Sequence, residues 1–325
     1  MLLAALVLAP AAGASFPGAN GKLAVGSECF NGDEDVPSIH AFAPDGSDLG
    51  ALTRCRVPGT RGTYGPDWSA DGQRLAFWHS DDSSTFRFAT TDASGGNFAD
   101  TPVAATFQID APSFSPDGQR LAYSRSGAIW TAKLDGSDRR RLRSRPKCGG
   151  CLSYVSPKWS PSGGKIAFES DGDGSKRFRP GLFVVNAGAG KGFKRVLRGQ
   201  AANLDWAPDG RRLVYQGDAD VDTDGSVSGG DLWIVRPNGK GRRRLLRTRK
   251  PAATVPAWAP DGKSIAFIQH TFRPSDDGSF KFASSALMRI SPKGGTPRRI
   301  RALEPPSVDE ESGFIAPELA WQPLP

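Results

Sequence analysis

The stretch PDWSADGQRLAF, Pro66 to Phe77, decides the fold because it recurs. It returns as PSFSPDGQRLAY from Pro112, PKWSPSGGKIAF from Pro157, LDWAPDGRRLVY from Leu204 and PAWAPDGKSIAF from Pro256, and a partial copy, PELAWQP, starts at Pro317. In each full copy an aromatic residue leads a Leu or Ile by seven positions: Trp68/Leu75, Phe114/Leu121, Trp159/Ile166, Trp206/Leu213 and Trp258/Ile265. Between them sit turns such as Ser115-Pro116-Asp117-Gly118. Pro presets φ, Asp bonds its own backbone and Gly accepts a positive φ, so each copy reads as a tight hairpin. We label its arms strand A and strand B.

Working outward, a third apolar run follows each hairpin: Ile39–Phe42, Phe86–Thr90, Ile129–Ala132, Leu182–Val185, Leu232–Val235 and Leu287–Ile290. Most of these strands C meet another Gly-bearing turn, as at Leu134-Asp135-Gly136-Ser137, and then a short strand D such as Arg244-Leu245-Leu246. Strand B, Leu-Ala-Phe or a close variant, is apolar on both alternating faces, as expected of a sheet sandwiched between neighbours. Four-stranded units at a period of 45 to 63 residues predict an all-β, six-bladed β-propeller of antiparallel blades. The first unit lacks a strand A and the last piece, Glu318–Trp321, lacks a strand B. The C-terminal strand is therefore expected to join the N-terminal blade and close the ring, which removes the open edges at the seam.

The W-S-P-D-G-x-x-I/L-A-F pattern of these copies resembles the TolB-like (WD40-like) β-propeller repeat, also found in the propeller domains of prolyl-oligopeptidase-type peptidases. The resemblance spans about residues 20 to 323 and implies the fold rather than a task. TolB carries an α/β domain ahead of its propeller, and the blades here begin almost directly after an N-terminal apolar run. The peptidases append a hydrolase domain; this chain has no G-x-S-x-G elbow.

The 325 residues include 39 Gly and 26 Pro, spread as regular turn punctuation instead of a low-complexity block. The apolar run Leu2–Leu8, followed by Ala12-Gly13-Ala14, reads as a signal peptide over residues 1–14, with one propeller domain over 15–325. The expectation is an extracytoplasmic protein, periplasmic or secreted, monomeric and without a transmembrane segment. Four cysteines suit that compartment: Cys29 with Cys55 and Cys148 with Cys151 is the pairing chosen among three possible ones.

The formal charge is +8, with 42 Lys and Arg against 34 Asp and Glu. Many of the cations fall on or beside strands D, for example Arg139 to Arg145 and Arg242 to Arg249. There they are expected to blunt exposed edges, dispersed around the rim, so no nucleic-acid partner is assigned; polyanion binding is the alternative. Strand direction puts short A–B and C–D turns on one face and long B–C and D–A connections on the other. Acidic groups such as Asp33-Glu34-Asp35 and Asp309-Glu310-Glu311 fall among the long connections, so an acidic loop face is expected.

Two places are candidates for chemistry. DVDTDGSVSGGD carries Asp220, Asp222, Asp224, Ser226, Ser228 and Asp231 at the spacing of a calcium loop, with Gly225 at its bend, and predicts a structural Ca2+ site. The second is the channel mouth, where repeat position gathers Asp67, Asp110, Lys158, Asn203, Asp205 and Glu318 beside the axis. The three histidines, His40, His79 and His270, accompany no Ser or Cys nucleophile motif and are assigned structural roles. Two functional readings stay open. One is a non-enzymatic scaffold binding a protein or cell-envelope polysaccharide through the loop face; the other is a metal-dependent enzyme of polysaccharide lyase or lactonase type at the channel mouth.

Overall fold

The computed structural model describes residues 16–26, 37–54, 63–80, 86–106, 109–145, 154–170, 180–217, 220–221, 227–228, 230–248, 252–274, 280–303 and 318–325. Blade 1 contains β1 (Ala19–Gly26), β2 (Pro37–Phe42) and β3 (Asp48–Arg54). Blade 2 is β4 (Thr63–Trp68), β5 (Arg74–Ser80), β6 (Phe86–Asp92) and β7 (Ala99–Thr106). Blade 3 is β8 (Ile109–Phe114), β9 (Arg120–Arg125), β10 (Ala128–Lys133) and β11 (Arg140–Arg143). Blade 4 is β12 (Tyr154–Trp159), β13 (Lys165–Ser170), β14 (Gly181–Asn186) and β15 (Lys194–Arg198). In blade 5, β16 (Ala201–Trp206) and β17 (Leu213–Gly217) precede a two-stranded hairpin of β18 (Asp220–Val221) and β19 (Val227–Ser228); β20 (Asp231–Val235) and β21 (Arg243–Leu246) complete the blade. Blade 6 is β22 (Ala252–Trp258), β23 (Ile265–Pro274), β24 (Phe280–Ile290) and β25 (Arg298–Leu303), and β26 (Leu319–Leu324) ends the chain.

Six four-stranded antiparallel sheets result, and β26 pairs with β1 through Leu23↔Trp321, Ala24↔Ala320 and Val25↔Leu319. The ring closes as the repeat count requires. The seam is also pinned across blades: the buried Gln322 amide accepts from Lys22 N at 2.9 Å and donates to Gly72 O at 2.6 Å. The turns form as their chemistry dictates. Gly118 N donates to Ser115 O at 2.8 Å, Asp117 Oδ1 accepts from Gln119 N at 3.0 Å, and Gly118 takes φ +64°.

The core is not a single centre but six clusters, one in each cleft between blades. In each, the middle residue of one Leu-Ala-Phe segment meets the aromatic residue and strand B of the next blade. Ala76 packs with Phe114, Leu121 and Tyr123; Ala122 with Trp159, Ile166 and Phe168; Ala167 with Trp206, Leu213 and Tyr215. Val214 takes this place opposite Trp258 and Phe267, Ala266 opposite Leu23 and Trp321, and Ala24 opposite Trp68 and Phe77. The small side chain makes room for the ring, and the flanking Leu and Phe point into the cleft behind. Alternation along strand B therefore sets blade spacing.

Between His270 and Ser285, β23 and β24 pair out to Pro274↔Phe280, a ribbon that lengthens blade 6 on the B–C side. Phe88 is fully buried against Tyr123, because it sits on the cleft face of β6. Ala167→Leu is expected to overfill the cleft between blades 4 and 5 and cost about 1–3 kcal/mol, read as a lowered urea midpoint with an unchanged m-value.

Candidate functional site at the axial channel

Strand A of every blade contributes to the axis, and each full copy carries a register shift just before its aromatic residue, as between Val155/Lys158 and Ala202/Asp205. At these bulges Gly65, Ser156, Asn203 and Val255 adopt positive φ of 65°, 49°, 54° and 45°. Such conformations are costly outside Gly, and most of all for a β-branched residue such as Val255. The bulge turns the following residues toward the axis, where Asp67, Ser113, Lys158, Asn203, Asp205 and Glu318 line one central cavity of about 80 Å3.

The channel polar groups are tied to the frame. Asp67 Oδ2 accepts from Phe114 N of the next blade at 2.8 Å, and Asp205 Oδ2 accepts from Trp258 N at 2.7 Å. Ser113 Oγ makes the equivalent bond with Trp159 N at 3.1 Å. Lys158 has no acceptor to offer at this position; instead its carbonyl receives Trp206 Nε1 at 3.0 Å and its ammonium donates to Asp67 Oδ1 at 2.9 Å. Burial pulls the Lys158 pKa down, but the Asp67, Asp205 and Glu318 carboxylates outweigh it, and the pKa lies above the ordinary lysine value. Asn203 donates to Gln216 Oε1 at 2.9 Å. Buried Glu169, one strand out, accepts from Leu204 N at 2.8 Å.

Five of the six predicted channel residues thus have side chains at the axis. Asp110 lies on β8 opposite Ser124, with its side chain outside the described residues. Sequence reasoning missed the clip role of Asp67 and Asp205, and it missed Glu169 and Gln216. It also missed Phe16, which is 3% exposed, lines the cavity and clusters with Trp159. Phe16 enters from the turn face, since Ala19 pairs with Leu324 at the far end of β26. No repeat position announced it, because it precedes the first copy.

The predicted calcium residues are only partly brought together. Asp220 and Ser228 are backbone partners across the β18–β19 hairpin, whereas Asp222, Asp224 and Ser226 lie outside the described residues. Asp231, 7% exposed, accepts from Thr248 N at 2.7 Å through Oδ1 and from Arg244 Nη1 at 3.1 Å through Oδ2. Both oxygens serve the start of β20, so Asp231 does not fit the bidentate ligand that the twelfth loop position supplies. Cys29, Cys55, Cys148 and Cys151 all lie outside the described residues. Among the described residues no three His, Cys, Asp or Glu converge as a cation site.

Each histidine is pinned within its blade: His40 to Asp48 at 2.5 Å, His79 to Asp100 at 2.6 Å, and His270 between Thr254 at 3.0 Å and Ser285 at 2.7 Å. On the rim, arginines of the outer strands lie over aromatic rings, as with Arg143 over Phe193 at 3.7 Å and Arg195 over Phe183 at 5.1 Å. Ring stacking therefore adds to edge protection as a task for these cations.

TolB from Acinetobacter baumannii superposes with TM-score 0.64 at 20% identity, over 93% of this chain and 67% of that one. The chain folds as a TolB-like propeller. A putative TolB from Agrobacterium tumefaciens gives TM-score 0.57 at 16% identity, covering 87% and 89% of the two chains. An oligogalacturonate lyase in complex with manganese gives 0.55 at 13%, covering 89% and 76%. At these identities the likeness concerns the fold alone. No family model matches the chain. Among the described residues no helix is long and apolar enough to cross a membrane.

Lys158→Met leaves Asp67 without its cation and should cost on the order of 3 kcal/mol at pH 7. Paired melts of wild type and variant at pH 7 would read it. Burial pushes His270 down to about 4 from 6.5. The unfolded chain then binds the extra proton between those values, so stability falls as pH drops from 6.5 toward 4, by on the order of 3 kcal/mol. His270→Gln should flatten the denaturation midpoint across that window.

Proposed function

We propose that this protein is an exported, non-enzymatic binding scaffold that engages a protein or cell-envelope glycan through the face on which the B–C and D–A connections open. The observation that carries this reading is the commitment of the axial groups. Asp67 and Asp205 each spend an oxygen on the next blade's backbone, and Lys158 neutralises Asp67. A cavity of about 80 Å3 also falls short of the ~300 Å3 at which ligand pockets usually begin. Groups held this way stiffen a platform, which leaves recognition to its periphery.

The β23–β24 ribbon is the described part of that face best placed for contact. Its strands stay paired out to Pro274↔Phe280, and it carries partly exposed Phe272 and exposed Arg273 on a two-stranded base. Consecutive strand residues alternate sides, so the ribbon offers an aromatic ring on one side and a guanidinium on the other, either of which suits a peptide or a sugar. Calcium, if it acts here, rests on Asp220, Asp222 and Asp224 without Asp231.

Capture from an envelope extract, with and without a chelator, tests the proposal. Wild type should retain a specific partner, and a Phe272→Ala, Arg273→Ala variant with an unchanged melting temperature should lose most of it. Recovery of nothing specific, together with turnover of an oligosaccharide or lactone panel that depends on added metal, would replace the scaffold reading with the enzyme reading. A melting temperature that chelator lowers in wild type but not in Asp222→Ala would support calcium.

A further inference from the structure

The cations of the turn face are not evenly dispersed. On blades 4, 5 and 6 the A–B and C–D turns (160–165, 186–195, 207–212, 236–243, 259–264 and 290–299) carry fourteen Lys and Arg and two Asp. On blades 2 and 3 and in the C–D turn of blade 1 the balance shifts to neutral. There Asp138 holds both Arg120, at 2.6 Å, and Arg140, at 2.8 Å. On the basic half, Asp209 is paired to Arg212 at 3.0 Å, which leaves Asp261 as the other carboxylate of these turns.

These turns abut to form one surface. Lys194 Nζ donates to Asn238 O across blades 4 and 5, and Arg243 donates to Pro292 O across blades 5 and 6. At the junction of blades 4 and 5 lies an open trough of about 640 Å3 lined by Lys165, Arg211, Arg212, Arg236 and Asn238, with Asp209 as its one carboxylate. Arg212 lies over the Trp258 ring at 4.9 Å, which holds its guanidinium in place.

We propose that this crescent is a docking surface for a linear acidic polysaccharide. Clustered guanidinium groups match repeated carboxylates bidentately. The Asn238 side chain, whose Oδ1 accepts from Lys240 N at 2.9 Å, keeps its NH2 donors for hydroxyls between the charges. A bilayer is disfavoured because interfacial binding draws on exposed apolar anchors, and the exposed large apolar side chains among the described residues, Leu49 and Leu324, both belong to blade 1. Single-stranded nucleic acid is disfavoured because stacking needs exposed rings, and Phe193, the aromatic residue of these turns, is partly covered beneath Arg143. The surface lies on the face opposite the proposed partner site, so the two readings stand or fall separately.

The test is binding of the full chain to alginate, with dextran, phosphatidylglycerol vesicles and single-stranded DNA as parallel arms. Alginate should bind and dextran should not, and affinity should fall by about tenfold or more as salt rises from about 50 to about 300 mM. Arg211→Glu with Arg236→Glu, both exposed positions, should lose about tenfold in affinity with an unchanged melting temperature, whereas Lys133→Glu on blade 3 should stay within about twofold. Absence of alginate binding, equal loss in Lys133→Glu, no loss in the double variant, or tighter binding of vesicles or DNA than of alginate would each overturn the proposal.

Discussion

Everything in this molecule depends on a small side chain facing a large ring across each cleft. Ala24, Ala76, Ala122, Ala167, Val214 and Ala266 leave the space into which the next blade's aromatic residue fits. A single four-stranded sheet with two apolar faces cannot stand in water alone. It is stable only with neighbours on both sides, and a row of such sheets has two bare ends unless it closes. The pairing of β26 with β1 is therefore a requirement of the packing, and Gln322 fastens it where the first and last parts of the chain meet.

Closure brings six inner strands to one axis and creates an electrostatic problem. Carboxylates from blades 1, 2 and 5 converge there around Lys158. The solution is to make them useful to the frame: Asp67 and Asp205 satisfy backbone donors of the adjacent blade, and the ammonium balances charge. Phe16 joins the lining of the same cavity from the turn face. The axis thereby acts as a hub, and the two outer faces are left to differ, one by its connections and its β23–β24 ribbon, the other by its charge.

Much of the frame was legible in the repeated PDWSADGQRLAF copies, since the spacing of Trp68 to Leu75 and its equivalents encodes a hairpin whatever surrounds it. The channel was legible by repeat position, because equivalent residues of a ring must share an environment. The use of each residue was not. Asp67 and Asp205 look like convergent ligands in sequence and are clips in space, since their partners, Phe114 N and Trp258 N, are 47 and 53 residues away. Asp231 fits a calcium spacing, yet its oxygens are taken by Arg244 of the outer strand and by Thr248 just beyond it.

The sequence by itself determined the element type, the number of blades and which strand closes the ring, because these follow from local turn chemistry and a period that needs no three-dimensional information. Only the tertiary structure decided which polar groups face a partner and which face solvent. It showed that Phe16 lines the channel cavity, that His270 lies between Thr254 and Ser285, and that basic turns scattered along the chain from Lys165 to Arg299 form one continuous half of a face. Ring closure places strands from distant parts of the chain side by side, and hydrogen bonds and fields depend on distance through space, which sequence separation does not record.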